Sequence, residues 1–575
     1  MRKRIGLLCA IVLLSSSVLL AADAKTLWVQ KFAKDVEWFK TTDLGLLLLA
    51  TEDSLQVFDP ETGQVLWNRT DLKKITEANV EEIASTPLLL VSENSGNVNV
   101  KTSLHALDVT TGKAVWQTDK LKGVTVGVQP IYEKNFVILM TTPQASAKSK
   151  LDLTALNMFT GDVVWETTLE EKVDLHEADS SGRIFKKFDL HGHQDPLIDG
   201  DAFYLTYAGL HKYDMNTGKL LWKVAYDVTE GTILRGNAQA VVSDAVVYTS
   251  AKGEIRAIDR NSGQVKWTSK KFSSAVAEMV DGGALLLGRT GGTFEDWTKK
   301  EFAVKKPLGV IAIDKSNGSL TWQYDDAKES ITNMVVLPEL KSVFIADKEN
   351  LIGLDLDSKG KNVKESFKVK VEFKNKLGAA AIAGTALKVG LGGLRSLGGG
   401  NKNEDVPIAI SLRENGTAVV RGKQHIIAFD PKNKEITWSI QYPAPGVAGW
   451  QKIAMASLTA YAYASYTAKA ASTYRGTSEN TWANNNRSDV IKNYSQFAAK
   501  RYSTNTATNK YVYVLTEIES GKDKGAGVVG VNMDTGESDR QILFKDKEPD
   551  FKVDELAGRV FNMKDKKELT AFALQ

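Results

Sequence analysis

The sequence predicts an all-β chain folded as a multi-bladed propeller of eight to ten blades, with the ring closed by its N- and C-terminal strands and broken by two partly helical insertions. Three observations predict it. A short phrase recurs along the chain, its copies lie one blade-length apart, and the two chain ends each carry half of a hairpin.

The phrase is an apolar run, Asp, three residues that mostly end in Thr or Ser, Gly, and then Trp four further on. Phe58-Asp59-Pro60-Glu61-Thr62-Gly63-Gln64-Val65-Leu66-Trp67 is the clearest copy. Asp59/Gly63/Trp67, Asp108/Gly112/Trp116, Asp214/Gly218/Trp222, Asp259/Gly263/Trp267 and Asp314/Gly318/Trp322 match in full. Asn157/Gly161/Trp165 replaces Asp, Asp430/Lys434/Trp438 loses Gly, and Asn532/Gly536 has Arg540 where Trp belongs. Asp355 is the weakest copy, with Gly360 one place late and no Trp. The alternating residues before Asp read as a strand. Asp opens a turn by accepting nearby backbone N–H groups, and Gly supplies the positive φ that closes it. Trp then starts the partner strand and is expected to wedge between adjacent sheets, burying roughly 150–250 Å².

From Asp59 to Asp108 is 49 residues and from Asp314 to Asp355 is 41, room for four short strands. At the N-terminus, Thr26-Leu27-Trp28-Val29-Gln30-Lys31-Phe32 reads as the second half of a hairpin. Glu568-Leu569-Thr570-Ala571-Phe572-Ala573-Leu574 reads as the first half. Pairing them makes a shared blade and removes the open edges.

The phrase resembles the PQQ-like propeller repeat, whose consensus is roughly Leu-Tyr-Ala-Leu-Asp-x-x-Thr-Gly-Lys-x-Leu-Trp. That family includes quinoprotein dehydrogenases and cofactor-free scaffolds, such as the lipoprotein of the outer-membrane barrel-assembly machinery. The resemblance is closer to the scaffold. It therefore implies no catalytic residues and no cofactor, with PQQ and calcium as the alternative. A dehydrogenase of this family commonly carries a disulfide of adjacent cysteines over the quinone, which a chain with a single Cys cannot form. No metal or base residues carry over. The other alternative is a propeller that binds a carbohydrate or small ligand.

Residues 1–24 read as a secretory signal: Arg2, Lys3 and Arg4, an apolar run from Ile5 to Leu20, then Ala22-Asp23-Ala24 as the cleavage box. The expected location is the periplasm or cell envelope, with residues 25–575 as the propeller. Cys9 lies within the apolar run with no small-residue box before it, so the chain does not read as a lipoprotein. Taking three Lys/Arg and one Asp from totals of 73 and 70 leaves 70 and 69. That balance gives no support for a nucleic-acid partner.

The insertions fall at about 374–405 and 443–509. In the first, residues 377–397 lack an acid and place Leu387, Leu391 and Leu394 at helical spacing. They suit a partner groove or peripheral membrane contact. In the second, Tyr461 and Tyr463 lie among small polar residues, a composition suited to a protein partner. Asp489 to Arg501 reads as a helix, and part of this segment is expected to supply strands to the ninth unit. Metal-like patterns are weak. Asp355-Leu356-Asp357 opens like a calcium loop, but Lys359 and Ser366 stand where oxygen ligands belong. His191-Gly192-His193-Gln194-Asp195, with His176 and Asp179 upstream, is the best cluster, and it reads as solvated loop histidines. Gly291-Gly292 reads as a turn.

Overall fold

The computed structural model describes residues 22–83, 85–95, 101–142, 148–174, 196–227, 240–272, 276–296, 301–360, 362–371, 373, 405–444, 482, 484–485, 488–503, 511–520, 523–544, 549–554 and 556–574.

Ten four-stranded sheets follow one another along the chain. Blade 1 consists of Val36–Thr41, Leu47–Thr51, Ser54–Phe58 and Val65–Arg69. Blades 2 to 8 repeat this antiparallel meander at 80–122, 124–168, 197–225, 241–268, 276–324, 335–370 and 409–441. The first strand of a blade is the inner one, because first strands of neighbouring blades touch: Val241–Ser243 meets Val276–Gly282, and Val335–Leu337 meets Ala409–Leu412. Val36–Thr41 meets Asp550–Asp554 in the same way, which closes the ring. Blade 10 joins Asp550–Asp554, Arg559–Lys564 and Glu568–Ala573 to Lys25–Lys31, so both chain ends share one sheet.

Most of the second insertion, from which strands of blade 9 are expected, lies outside the described residues. The described strands of blade 9 are Tyr511–Ser520, Asp523–Asn532 and Ser538–Leu543, and the turn at Asn532 and Gly536 marks them as its second, third and outer strands. Ala22–Asp23 pairs in parallel with Arg540 and Gln541, beyond the outer strand. The insertion reaches blade 9 through the Pro443 carbonyl, which accepts from the Thr516 hydroxyl at 2.8 Å, and it carries one helix.

The turn residues act locally. Asp59 Oδ1 accepts the N–H groups of Glu61 and Thr62 at 2.8 and 3.0 Å, and the Gly63 N–H returns to the Asp59 carbonyl at 2.9 Å. Asp259 accepts in the same way from Asn261 and Ser262, and these hydrogen bonds hold its pKa down at about 2. A one-residue bulge precedes the aromatic position in each outer strand. Val57 faces Trp67 and Phe58 faces Val65, so Leu66 is extra. The same slip precedes Trp28, Trp116, Trp165, Trp222, Trp267, Trp322 and Trp438. A bulge re-aims the following side chain, and here it turns the indole toward the next blade.

Each indole then docks on the next blade's Asp–Gly turn. Trp67 Nε1 donates to the Val109 carbonyl at 2.9 Å, and its ring covers Gly112. Trp28 docks on Pro60 and Gly63, Trp116 on Met158 and Gly161, and Trp165 on Met215 and Gly218. Trp222 docks on Arg260 and Gly263, Trp267 on Lys315 and Gly318, and Trp438 on Met533 and Gly536. The series breaks where the phrase weakens. Trp322 is fully buried against blade 7, whose turn lacks Gly at the docking position, and its Nε1 has no hydrogen-bond partner. Blade 7 itself uses Phe367, opposite Gly353 after the same bulge and packed on Phe344 and on Phe429 of blade 8. Gly291 and Gly292 are not in a turn. They lie within the long strand Leu285–Asp296, with φ of 66° and 142°, opposite a bulge in the partner strand Glu301–Asp314.

Candidate functional site

Antiparallel strands place the inner-to-second and third-to-outer connections of every blade at one end of the ring. The blade-to-blade connections lie at the other end. The helix Ser488–Ser503, which covers the segment expected to be helical, lies on the first of these faces. Val490, Ile491, Tyr494 and Ala498 are buried, a spacing that makes one stripe on a helix. The stripe joins the apolar cluster of Leu44 and Leu46 from blade 1 and Ile83 from blade 2. Upstream, Trp482 meets Phe159 of blade 3 edge to face, with ring centroids 4.7 Å apart.

The end of the stripe is charged. Arg501 Nη1 reaches Asp554 Oδ2 of blade 10 at 2.9 Å, with the two side chains 10% and 1% exposed. A Cβ at Gly45 of blade 1 would collide with the guanidinium. Beside it, the Asp43 N–H donates to Glu82 Oε2 at 2.8 Å, which links blades 1 and 2. One turn of helix thus meets three blades around the seam where the ring closes. Lys500 and Arg559 both bind Glu61, at 2.5 and 2.8 Å, across the same seam. The Lys500 ammonium, with Arg559, holds the Glu61 carboxyl below its usual range.

Burial pushes the Asp43 carboxyl up to about 6 although Arg501, Lys40 and a backbone hydrogen bond from Ser85 pull it down, and Glu81 adds to the rise. Burial and the neighbouring Asp43 push Glu82 well above its usual range, against Lys40 and Arg501. A raised carboxylate pKa means that the folded chain holds the proton more tightly than the unfolded chain. Stability from Asp43 is therefore full below pH 4 and is lost as pH rises through about 6. Asp43→Asn is expected to reduce the fall in denaturant midpoint between pH 4 and 6.5, and an unchanged slope would contradict this assignment.

The seven predicted tryptophans and six predicted glycines all lie at blade junctions, spread around the ring. Twelve of the thirteen form docks, and Trp322 is the member without a turn to dock on. Leu387, Leu391, Leu394, Tyr461 and Tyr463 lie outside the described residues, as do the His176–Asp195 histidines. Among the described residues, no group of three His, Cys, Asp or Glu side chains is placed to hold a metal. The chain leaves blade 7 at Phe373 and re-enters at Asp405, which accepts the N–H groups of Lys423, Gln424 and His425 at 2.7–3.1 Å. The first insertion therefore springs from the face opposite the helix. Three further residues belong to the docks and the seam: Trp28, Phe367 and Arg501. Trp28 was separable as a dock because Leu27-Trp28 copies Leu66-Trp67. Phe367 lies twelve residues after Asp355 and is hidden by the longer turn. Arg501 was visible as a charge on an apolar stripe, but its partners lie far away in sequence.

These features define a closed PQQ-like repeat propeller of ten blades, sewn together by tryptophan docks. The family model described as outer membrane protein assembly factor BamB matches residues 15–187 and 172–335, and the chain belongs to this family. Solved structures similar to it include BamB from Moraxella catarrhalis, at 12% identity and a TM-score of 0.33, covering 71% of this chain and 97% of that one. The computationally designed Ika8 protein is similar at 11% identity and a TM-score of 0.33, covering 70% of this chain and 96% of its own. The C-terminal WD40 domain of Sif2 is similar at 10% identity and a TM-score of 0.32, covering 70% and 96% respectively. No curated protein matches the chain.

Proposed function

We propose that the protein is an exported, non-enzymatic scaffold of the cell envelope that binds a protein partner during outer-membrane protein assembly. Family membership carries this reading, since the matching family is described as an outer membrane protein assembly factor. The turn chemistry supports it: the repeat carboxylates are engaged by backbone N–H groups of their own turns, as at Asp59, Asp214 and Asp430. Partner contacts are assigned to the two insertions, through Leu387, Leu391 and Leu394 in one and Tyr461 and Tyr463 in the other. Residues 377–397 also supply any peripheral membrane contact. Residues 1–24, read as a secretory leader, support a location in the periplasm or cell envelope. The reading takes no cofactor. PQQ with calcium, added to the purified protein, is expected to give no bound-quinone absorption band and no dye reduction with alcohols or sugars.

Deleting residues 377–400 is the test. The chain is expected to keep its unfolding midpoint and to lose the envelope protein that the intact chain retains in a pull-down. Recovery of the same proteins with and without the segment would overturn the assignment of the contact to this insertion.

A further inference from the structure

The junction of blades 2 and 3 differs from the others in its outer half. The outer strand of blade 2, Ala114–Lys122, is nine residues long and carries a second bulge, between Thr118 and Leu121. The other outer strands run from four to seven residues, and their ladders show one slip each. Asp119 and Lys120 stand opposite Ser103 alone, one residue more than the ladder needs, and a bulge bends the strand that carries it. Leu121 and Lys122 are displaced with it and form one wall of a hollow of about 250 Å³. The other wall is the face of blade 3 turned toward blade 2.

That face changes character along its length. Val137, Leu139 and Leu156 join the apolar cluster that holds Trp116. Beyond them, Thr141, Asp152 and Thr168 form one cross-strand row, and Thr154 and Glu166 form the next. Direct cross-strand partners and residues two apart share a face, so all five point into the gap. They line it together with Thr167, Leu121 and Lys122. The Thr168 hydroxyl donates to Asp152 Oδ1 at 2.6 Å, which orients the carboxylate.

We propose that this hollow binds a neutral polyol the size of one sugar ring. Each threonine hydroxyl both donates and accepts, the two carboxylates accept, and the Lys122 ammonium donates. Sugar hydroxyls match this mixture because each also donates and accepts. An anion meets two carboxylates and one ammonium. An apolar ligand would leave buried Thr141 and Thr154 facing hydrocarbon, at the cost of unmade hydrogen bonds. The volume is below the roughly 300–1,000 Å³ of pockets for drug-sized ligands, which limits the occupant to a single ring. The site is separate from the helix face, so its test is independent of the scaffold reading.

Saturation-transfer NMR on the full-length protein with glucose, galactose, N-acetylglucosamine and, separately, spermidine tests the proposal. Transfer to at least one sugar is expected, with affinity reduced at least tenfold by Thr154→Val and by Glu166→Gln. Glu166 is exposed, so its amide variant keeps the fold and separates lost binding from lost structure. The proposal is overturned by absence of transfer to all three sugars, by transfer unchanged in Glu166→Gln, or by spermidine as the sole ligand.

Discussion

Arg501→Ala is expected to release the helix Ser488–Ser503 from the ring. The guanidinium lies among carboxyl groups drawn from blades 10, 1 and 2, and its partner Asp554 is 1% exposed. Removing one partner of a buried pair leaves the other charged and desolvated, at a cost of ~3–5 kcal/mol. The apolar stripe of Val490, Ile491, Tyr494 and Ala498 remains, so the effect falls on the last turns and on the blade 10–blade 1 seam. Amide hydrogen exchange would report it as faster exchange in the helix and in Asp550–Asp554, with little change in blades 4 to 6. Arg501→Ala with Asp554→Asn is expected to recover part of the loss, because the Asp554 charge no longer stays behind without its partner. Unchanged protection of the helix in Arg501→Ala would contradict the role given to this residue.

Gly112→Ala is expected to be among the most damaging single methyl additions in the chain. Gly112 has φ of 68°, and an added Cβ would sit 2.6 Å from the Trp67 ring. The left-handed backbone alone costs ~1–2 kcal/mol for a non-glycine residue. The indole must also lift from the turn, which breaks its hydrogen bond to the Val109 carbonyl and opens the junction of blades 1 and 2. Gly360 isolates the backbone component. Its φ is 97°, yet nothing lies within 4 Å of an added Cβ, because blade 7 has no dock at that turn. Gly360→Ala should therefore lower the unfolding midpoint much less than Gly112→Ala. Equal losses would mean that the indole contact contributes little.

Much of the ring was legible because the repeat encodes contacts between neighbours. Asp59 caps its own turn, and Trp67 meets a turn that the next copy supplies, so local pattern and tertiary contact share one period. The shared blade was legible for a related reason: Thr26–Phe32 and Glu568–Leu574 complement each other as halves of one hairpin. Legibility ended where contacts ceased to be periodic. Phe367 replaces Trp after a lengthened turn, and only the strand register reveals the equivalence. In the full chain Ala22–Asp23 edges blade 9, a pairing across more than five hundred residues that no local signal encodes, and cleavage after Ala24 would leave Ser538–Leu543 as that edge. The seam cluster is similar. Arg501 stands out on its helix, but Asp43, Glu82 and Asp554 look like ordinary surface acids until the ring brings them together.

The repeat residues are used up in building the ring, so partner binding is assigned to material that the ring does not need. Crosslinking the exported protein in its native envelope tests this most directly. The account predicts capture of an outer-membrane assembly protein through residues of the two insertions. Recovery of no envelope protein, or capture only through the outer strands of the blades, would contradict it.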